Sequence, residues 1–529
     1  MRKIIDRDIA RLEESIRTLK SRRNELSPIY RLPAEVLCII FSFTEDLSRS
    51  RSPKSWTNFS QVSQHWRSSA LSAPELWTNI PVLYPRWAQE MLIRSKKAIL
   101  TIRSDLTFDN FNQLSNPIEA VRSCLCEMNR VEKIDLNFIA IPGSTLEEIF
   151  RDLPRSAPQL HTLCITPRHF SGPAFSIHED FLYDTERLQC VKLINCEISW
   201  DSRLLNGLTH LTLQNSLKPN STIIEFLHAL QQMPALTDLH LEESIPDDSN
   251  GPSTYPDVDL PCLRLLRIST GVGPLTTVLR HIAFPHTAKL NLTCRGNQSI
   301  RIDFSNFLSV LATKFLSSLV IRSLSLRALN RNSSLEFYLW TTAFIQDCFP
   351  SPSLISKSRL QLVLTWPSPQ SRNYVKALIC AFDAISLPFL TQLQISTSEH
   401  CIDSKTWAKT FGRLPLLERV CVHNYAHSFL EALVYKKREA ETSKTVYRTV
   451  FPKLRYINLE STEFFGMGSI SVDMLLDCLM ERCERNADVW LLRLDNCYNF
   501  SSHHVERLRE IVVDVIWDGK EHIDSDLRM

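Results

Sequence analysis

A chain of 529 residues with 44% hydrophobic and 22% charged residues has the balance of a folded globular protein, with material for several domains or one long repeat array. Its formal net charge of +2 gives no global field for nucleic acid or a membrane surface, and no segment approaches the roughly 18 uncharged apolar residues of a membrane span. Fifteen cysteines are too sparse for a disulfide scaffold, eleven glycines speak against phosphate-binding loops, and the charged opening MRKIIDRDIARLEE is unlike a signal peptide, so reduced thiols and a location in the cytoplasm or nucleus are expected.

The chain opens, over residues 1–27, on a heptad pattern. Ile5, Ile9, Leu12, Ile16, Leu19 and Leu26 recur at spacings of 4, 3, 4, 3 and 7, with Arg23 in the slot that interrupts the run. An apolar seam at this period lets two helices pack knobs into holes. About three heptads fit either a short dimerising coiled coil or one amphipathic helix laid on the next domain. Pro28 ends the pattern, because the residue before a proline is pushed out of helical geometry.

Residues 28–80 read as a small all-helical unit. Pro33 suits a first helical turn, where its missing N–H costs nothing. In the following Glu35-Val-Leu-Cys-Ile-Ile-Phe-Ser-Phe43, Val36, Ile40 and Phe43 form one stripe, Leu37 and Phe41 widen it, and Ile39 sits to the side. A helix apolar around so much of its circumference needs cover from more than one direction, part of it expected from another protein. Ser48 to Ser55 reads as a solvated connector.

From 81 to 500 the spelling Pro-x-Leu-x-x-Leu-x-Leu repeats. It stands at Pro158/Leu160/Leu163/Ile165, Pro234/Leu236/Leu239/Leu241, Pro261/Leu263/Leu266/Ile268, Pro388/Leu390/Leu393/Ile395, Pro415/Leu417/Val420/Val422 and Pro452/Leu454/Ile457/Leu459. Copies without the proline occur at Val131/Ile134/Leu136, Leu188/Val191/Leu193, Leu208/Leu211/Leu213, Leu316/Leu319/Ile321 and Val489/Leu492/Leu494, a truncated one at Pro285/Leu290/Leu292, and a weak one at Leu362/Leu364. Prolines 234 and 261, like 388 and 415, lie 27 apart, the period of leucine-rich repeats. The last two leucines of each unit face one side of a strand, and each strand pairs with that of the next repeat. Helical spacing returns between strands, at Leu146/Ile149/Phe150/Leu153 after a Ser144-x-x-Glu147 capping-box spelling, and at Ile223/Phe226/Leu227/Leu230. Lys436 to Lys444 reads as a projecting loop, and 501–529 as a tail. The expected fold class is α/β: an N-terminal helix and small all-α unit, then an irregular solenoid with a parallel sheet on its concave face.

The residues Leu32-Pro33-x-Glu35-Val36-Leu37-x-x-Ile40-Phe41, Val62-Ser63-x-x-Trp66 and Pro74-x-Leu76-Trp77, in that order, resemble an F-box. The layout of heptad helix, F-box and degenerate leucine-rich repeats is similar to the expanded F-box families of mushroom-forming fungi. The resemblance implies docking to a Skp-family adaptor and through it to a cullin, with the repeats presenting a protein substrate for ubiquitin transfer in an SCF-type complex. Carried onto this chain, Leu32, Pro33, Val36, Leu37, Ile40 and Phe41 would form the central adaptor contact. Val62 and Trp66 would complete the wedge, and Leu76 and Trp77 would lock its end; both tryptophans fit an internal core equally well.

No chemistry of the chain's own is spelled out, and no cofactor or metal is expected. Paired zinc-ligand spacings are absent, and Cys124 and Cys126 read as lying near a helix end. His503-His504 reads as a solvated turn, and Gly466-Met-Gly468 lacks a P-loop spelling. The competing reading is an interaction scaffold not coupled to ubiquitin transfer. Substrate would meet the concave face or the loops beside it; on that face Asp238, His240, Arg267, Gln392 and Gln394 point away from the leucine side, and ordinary solvent exposure explains the same residues.

Overall fold

The computed structural model describes residues 1–48, 55–107, 117–151, 153–168, 175–178, 181–247, 254–296, 303–329, 333–343, 351–367, 371–397, 402–434, 450–464 and 470–522. Most of the connector 48–55, the loop 436–444 and the 466–468 segment lie outside them. The chain divides into two compact units, Met1–Pro219 and Asn220–Met529.

The first unit begins with helix α1 (Arg2–Glu25), followed by a 3-10 turn at Pro28–Arg31. Helices α2 (Ala34–Ser48) and α3 (Gln64–Ser72) come next, with 3-10 turns at Ser55–Gln61 and Pro74–Trp77. Ser63 starts α3 as its N-cap, its hydroxyl accepting from the Trp66 N–H at 3.2 Å, which explains a serine three residues before the tryptophan. Strands β1 (Asn79–Ile80), β2 (Leu100–Thr107), β3 (Val131–Ile139), β4 (Thr162–Arg168), β5 (Cys190–Ile194) and β6 (His210–Gln214) then pair in chain order, all parallel. Register aligns Ile102, Ile134, Leu163, Val191 and Leu211 into one buried row. Each strand is too short to be stable alone; stacking makes the rows continuous.

The second unit carries β7 (Asp238–Glu242), β8 (Leu265–Gly271) and β9 (Lys289–Arg295), again parallel neighbours. Strand order then departs from chain order. β10 (Ser323–Leu329) and β11 (Ser334–Trp340) pair antiparallel, β11 pairs antiparallel with β12 (Leu360–Thr365), and it is β12 that adjoins β9. Parallel pairing resumes from β10 to β13 (Gln392–Thr397), β14 (Arg419–Asn424), β15 (Tyr456–Glu460), β16 (Leu491–Asp495) and β17 (Asp514–Trp517). Leu335, Phe337 and Leu339 bring β11 into the same buried rows, while Tyr338 and Trp340 on its other face are covered by Leu354 and Ile355. The Trp340 indole donates to the Leu354 carbonyl at 3.1 Å.

Three expectations are corrected. Leu316 to Ser318 form a 3-10 turn, and the strand begins at Ser323 with Leu324 and Leu326 buried, so the Leu316/Leu319/Ile321 spelling precedes the strand. Residues 501–529 are not only a tail, because helix Ser502–Arg509 and β17 add a further repeat whose Val515 continues the row of Leu492. The Ser144 spelling makes no cap, since helix Gly143–Phe150 starts one residue earlier after Pro142. A capping box does form at Thr222 and Glu225, where Ile223–Gln231 buries Ile223, Phe226, Leu227 and Leu230.

Strand exits share a feature the leucine pattern does not show. Asn195, Asn215 and Asn496, each just after a strand, have φ of 54°, 48° and 50°, a left-handed conformation that asparagine tolerates. A small polar residue follows each and reaches back to the preceding strand. Cys196 Sγ lies 3.8 Å from the Ile165 carbonyl, Ser216 Oγ donates to Leu193 at 3.1 Å, and Cys497 Sγ lies 3.5 Å from the Leu459 carbonyl.

Candidate functional site

The helical unit of residues 28–80 has an inner and an outer side, and α2 divides between them. On the inner side Leu37 and Phe41 are buried, Phe41 stacking on Phe59 at 4.2 Å between ring centroids and tilting against Trp66 at 5.2 Å. Trp77 is wholly buried; its indole N–H donates to the Ala70 carbonyl at 2.8 Å and the Arg94 guanidinium lies 4.5 Å over its ring. Leu76 is buried beside it. Partial burial, then the carboxylates of Glu75 and Glu35, push the Cys38 thiol above its ordinary range, so it stays protonated.

The outer side is apolar and uncovered. Val36, Ile39 and Phe43 are 38%, 58% and 65% exposed and follow one another at helical spacing. Pro33 is exposed, Ile40, Leu32 and Trp66 are half-buried, and Val62 is exposed at the entry to α3. Of the ten residues implied as adaptor contacts, Leu37, Phe41, Leu76 and Trp77 thus build the unit's own core and shape the site from beneath. Ile39 and Phe43, outside that set, belong to the open face. The excess of apolar residues was visible in the sequence; the phase that sends Phe41 inward and Ile39 outward is fixed by Phe59 and Trp66, which only folding brings to α2.

The concave positions fall into separate places. Asp238 and His240 on β7 adjoin Leu265 and Arg267 on β8, giving a partly exposed polar patch. Gln392 and Gln394 on β13 lie beyond β9, β12, β11 and β10, five strand steps from β8 or about 24 Å. They line a cavity of about 270 Å³ with Arg419 and Cys421 of β14, Tyr456 and Asn458 of β15, and Arg493 of β16. Gln394 and Asn458 are buried in its floor, and the Arg419 guanidinium lies 4.2 Å over the Tyr456 ring. Arg493 is oriented by Asp495, with Nε donating to Oδ2 at 2.6 Å. With Arg493 already paired to Asp495, the Arg419 guanidinium and the amides of Gln392, Gln394 and Asn458 make this a cavity for a strongly hydrogen-bonding group.

Together these observations define a two-part architecture: a small helical module with an uncovered apolar face, and strand–helix repeats of the leucine-rich type. Residues 29–80 match the F-box-like family model, so the helical module is an F-box-like domain followed by such repeats. No curated protein matches the chain. Among solved structures it is similar to one described as the crystal structure of a TLR13–ssRNA13 complex, at 13% identity and a TM-score of 0.31, covering 78% of this chain and 49% of that one. The chain therefore spans about half the length of that structure's chain. Among the described residues, no helix is long and apolar enough to cross a membrane.

Proposed function

We propose that this protein is a non-catalytic substrate receptor of an SCF-type ubiquitin ligase, working in the cytoplasm or nucleus. The F-box-like domain docks a Skp-family adaptor, which links it to a cullin, and the repeats hold a protein substrate. Copies of the chain also meet through α1, whose seam is exposed from Ile5 to Leu26. The observation that carries the proposal is the outer stripe of Val36, Ile39 and Phe43. Large apolar side chains gathered on one exposed face mark an interaction surface, and a scaffold without an adaptor has no use for it. Pro33, Ile40 and Val62 extend the contact, and Leu32 and Trp66 border it. The cavity of Gln392, Gln394, Arg419 and Arg493 is the favoured substrate position, with the Asp238/His240/Arg267 patch as a second contact.

Co-expression with a Skp-family adaptor tests the reading. The intact chain is expected to co-purify with the adaptor, and a Leu32→Ala/Pro33→Ala double variant to lose it while the repeats stay folded. Equal recovery of adaptor with both chains would sink the assignment and leave the scaffold reading.

A further inference from the structure

The geometry points to an antiparallel two-stranded coiled coil between two copies of α1, which sets two F-box-like domains at opposite ends of one rod. The inference rests on the self-association reading above and adds its orientation. Helix α1 buries no residue within its own chain; Ile5, Ile9, Leu12, Ile16 and Leu19 are 49–64% exposed along one seam. In heptad terms Ile9 and Ile16 occupy a positions and Ile5, Leu12, Leu19 and Leu26 occupy d positions, with Arg23 at the a position between Leu19 and Leu26. A second copy of this chain is therefore the occupant whose seam matches in period and in residue type.

The flanking charges choose the direction. Positions e are Asp6, Glu13 and Lys20; positions g are Asp8, Ser15 and Arg22. In a parallel pair each g residue meets the e residue five places on in its partner. That sets Asp8 against Glu13 twice and leaves Ser15–Lys20 and Arg22–Ser27 neutral, so no attractive contact forms. In an antiparallel pair e meets e and g meets g. With Ile9 opposite Leu19 and Leu12 opposite Ile16, Asp6 meets Lys20 and Asp8 meets Arg22, each twice, against a single Glu13–Glu13 repulsion.

The connection to the next domain favours the same direction. Ser27 alone separates Leu26 from the turn that begins at Pro28, so a parallel pair would bring two F-box-like domains, each carrying an adaptor, to one end of a coil whose axes lie about 10 Å apart. The antiparallel pair separates them by the helix length, about 36 Å for 24 residues.

The direction is tested by the sign of one charge reversal in the full-length chain, followed by sedimentation and light scattering across a concentration series. Asp8→Arg sets a second guanidinium against Arg22 in the antiparallel pair, but a guanidinium against Glu13 in the parallel pair. The expected result is a dimer that Leu12→Asp disperses, that Asp8→Arg weakens by roughly ten-fold, and that Asp8→Arg/Arg22→Asp restores. An Asp8→Arg dimer as tight as the unmodified one, or tighter, would overturn the orientation while leaving self-association standing. A chain that stays monomeric throughout, or a dimer indifferent to Leu12→Asp, would overturn both, without touching the adaptor contact.

Discussion

Replacing Phe43 by serine isolates the docking face from the stability of the domain that carries it. Phe43 is 65% exposed, so of a phenylalanine surface of roughly 200 Å² about 130 Å² remains to be covered by a partner. At about 25 cal/mol per Å² that area is worth about 3 kcal/mol, near the level of interface hot spots. Cover that is less than complete reduces the loss to about 2–3 kcal/mol, an affinity roughly 30- to 150-fold weaker. Calorimetric titration of the full chain with a purified Skp-family adaptor reads this directly. Thermal melting should be unchanged, since the side chain contributes little to the folded core. Leu37→Ala is the counterpart: Leu37 is fully buried on the same helix, and its truncation should destabilise the domain by about 2–5 kcal/mol and weaken docking only through unfolding. An affinity for Phe43→Ser within three-fold of the unmodified chain, at equal stability, would refute the placement of the adaptor on this face.

Three further outcomes follow from single contacts. His504 lies in helix Ser502–Arg509, where its Nδ1 accepts the Ser501 N–H at 3.2 Å, so the helix start needs a neutral ring rather than the solvated turn the His-His pair suggested. Burial, then His503 and Arg507, lower its pKa; the unfolded chain binds the proton first, and stability present above about pH 6.5 is lost as pH falls through the folded value. Hydrogen exchange in that helix should therefore accelerate on acidification, and His504→Gln, which can accept the same bond without titrating, should remove the dependence. Ser216→Ala should cost about 1 kcal/mol by removing the hydroxyl that lies 3.1 Å from the Leu193 carbonyl and 2.9 Å from the Gln214 carbonyl, whereas Ser216→Cys should be tolerated, as cysteine fills the equivalent places at 196 and 497; exchange protection around β5 and β6 distinguishes them. Arg493→Glu, which also sets a second carboxylate beside Asp495, should weaken binding of the protein substrate and leave adaptor affinity unchanged, read in parallel binding titrations; unchanged substrate binding would move the substrate site away from the cavity.

How much of this was legible follows from what each residue's neighbours are. The Leu-x-Leu spelling reports a strand with a buried leucine face, and it located β3 to β9 and β12 to β16 because that face is buried in each, as Ile134 and Leu136 are. On β13 to β15 Gln394, Cys421 and Asn458 of the other face are buried as well, which the spelling does not report. Direction is not spelled by alternation: Leu335, Phe337 and Leu339 on antiparallel β11 read no differently from a parallel strand, and the reversal depends on pairing with β10 and β12. Gln392 and Asp238 shared a pattern position without sharing a place, because the reversed strand and its neighbours intervene. Asn195, Asn215 and Asn496 at three strand exits were in plain view, but their meaning is a backbone angle and, for Asn195, a bond to the previous repeat.

These side-chain contacts at the strand exits run one way. Asn195 donates to Pro167 at 2.6 Å, Ser216 to Leu193, Asn424 to Thr397 at 3.4 Å and Cys497 to Leu459, each from the later repeat to the earlier. A growing chain leaves the ribosome in that same order, so each of these four side chains finds its acceptor already built. Accretion is the natural result where strands stack in chain order, whereas β10, whose sheet neighbours β11 and β13 both follow it in the chain, joins the stack only once they are made.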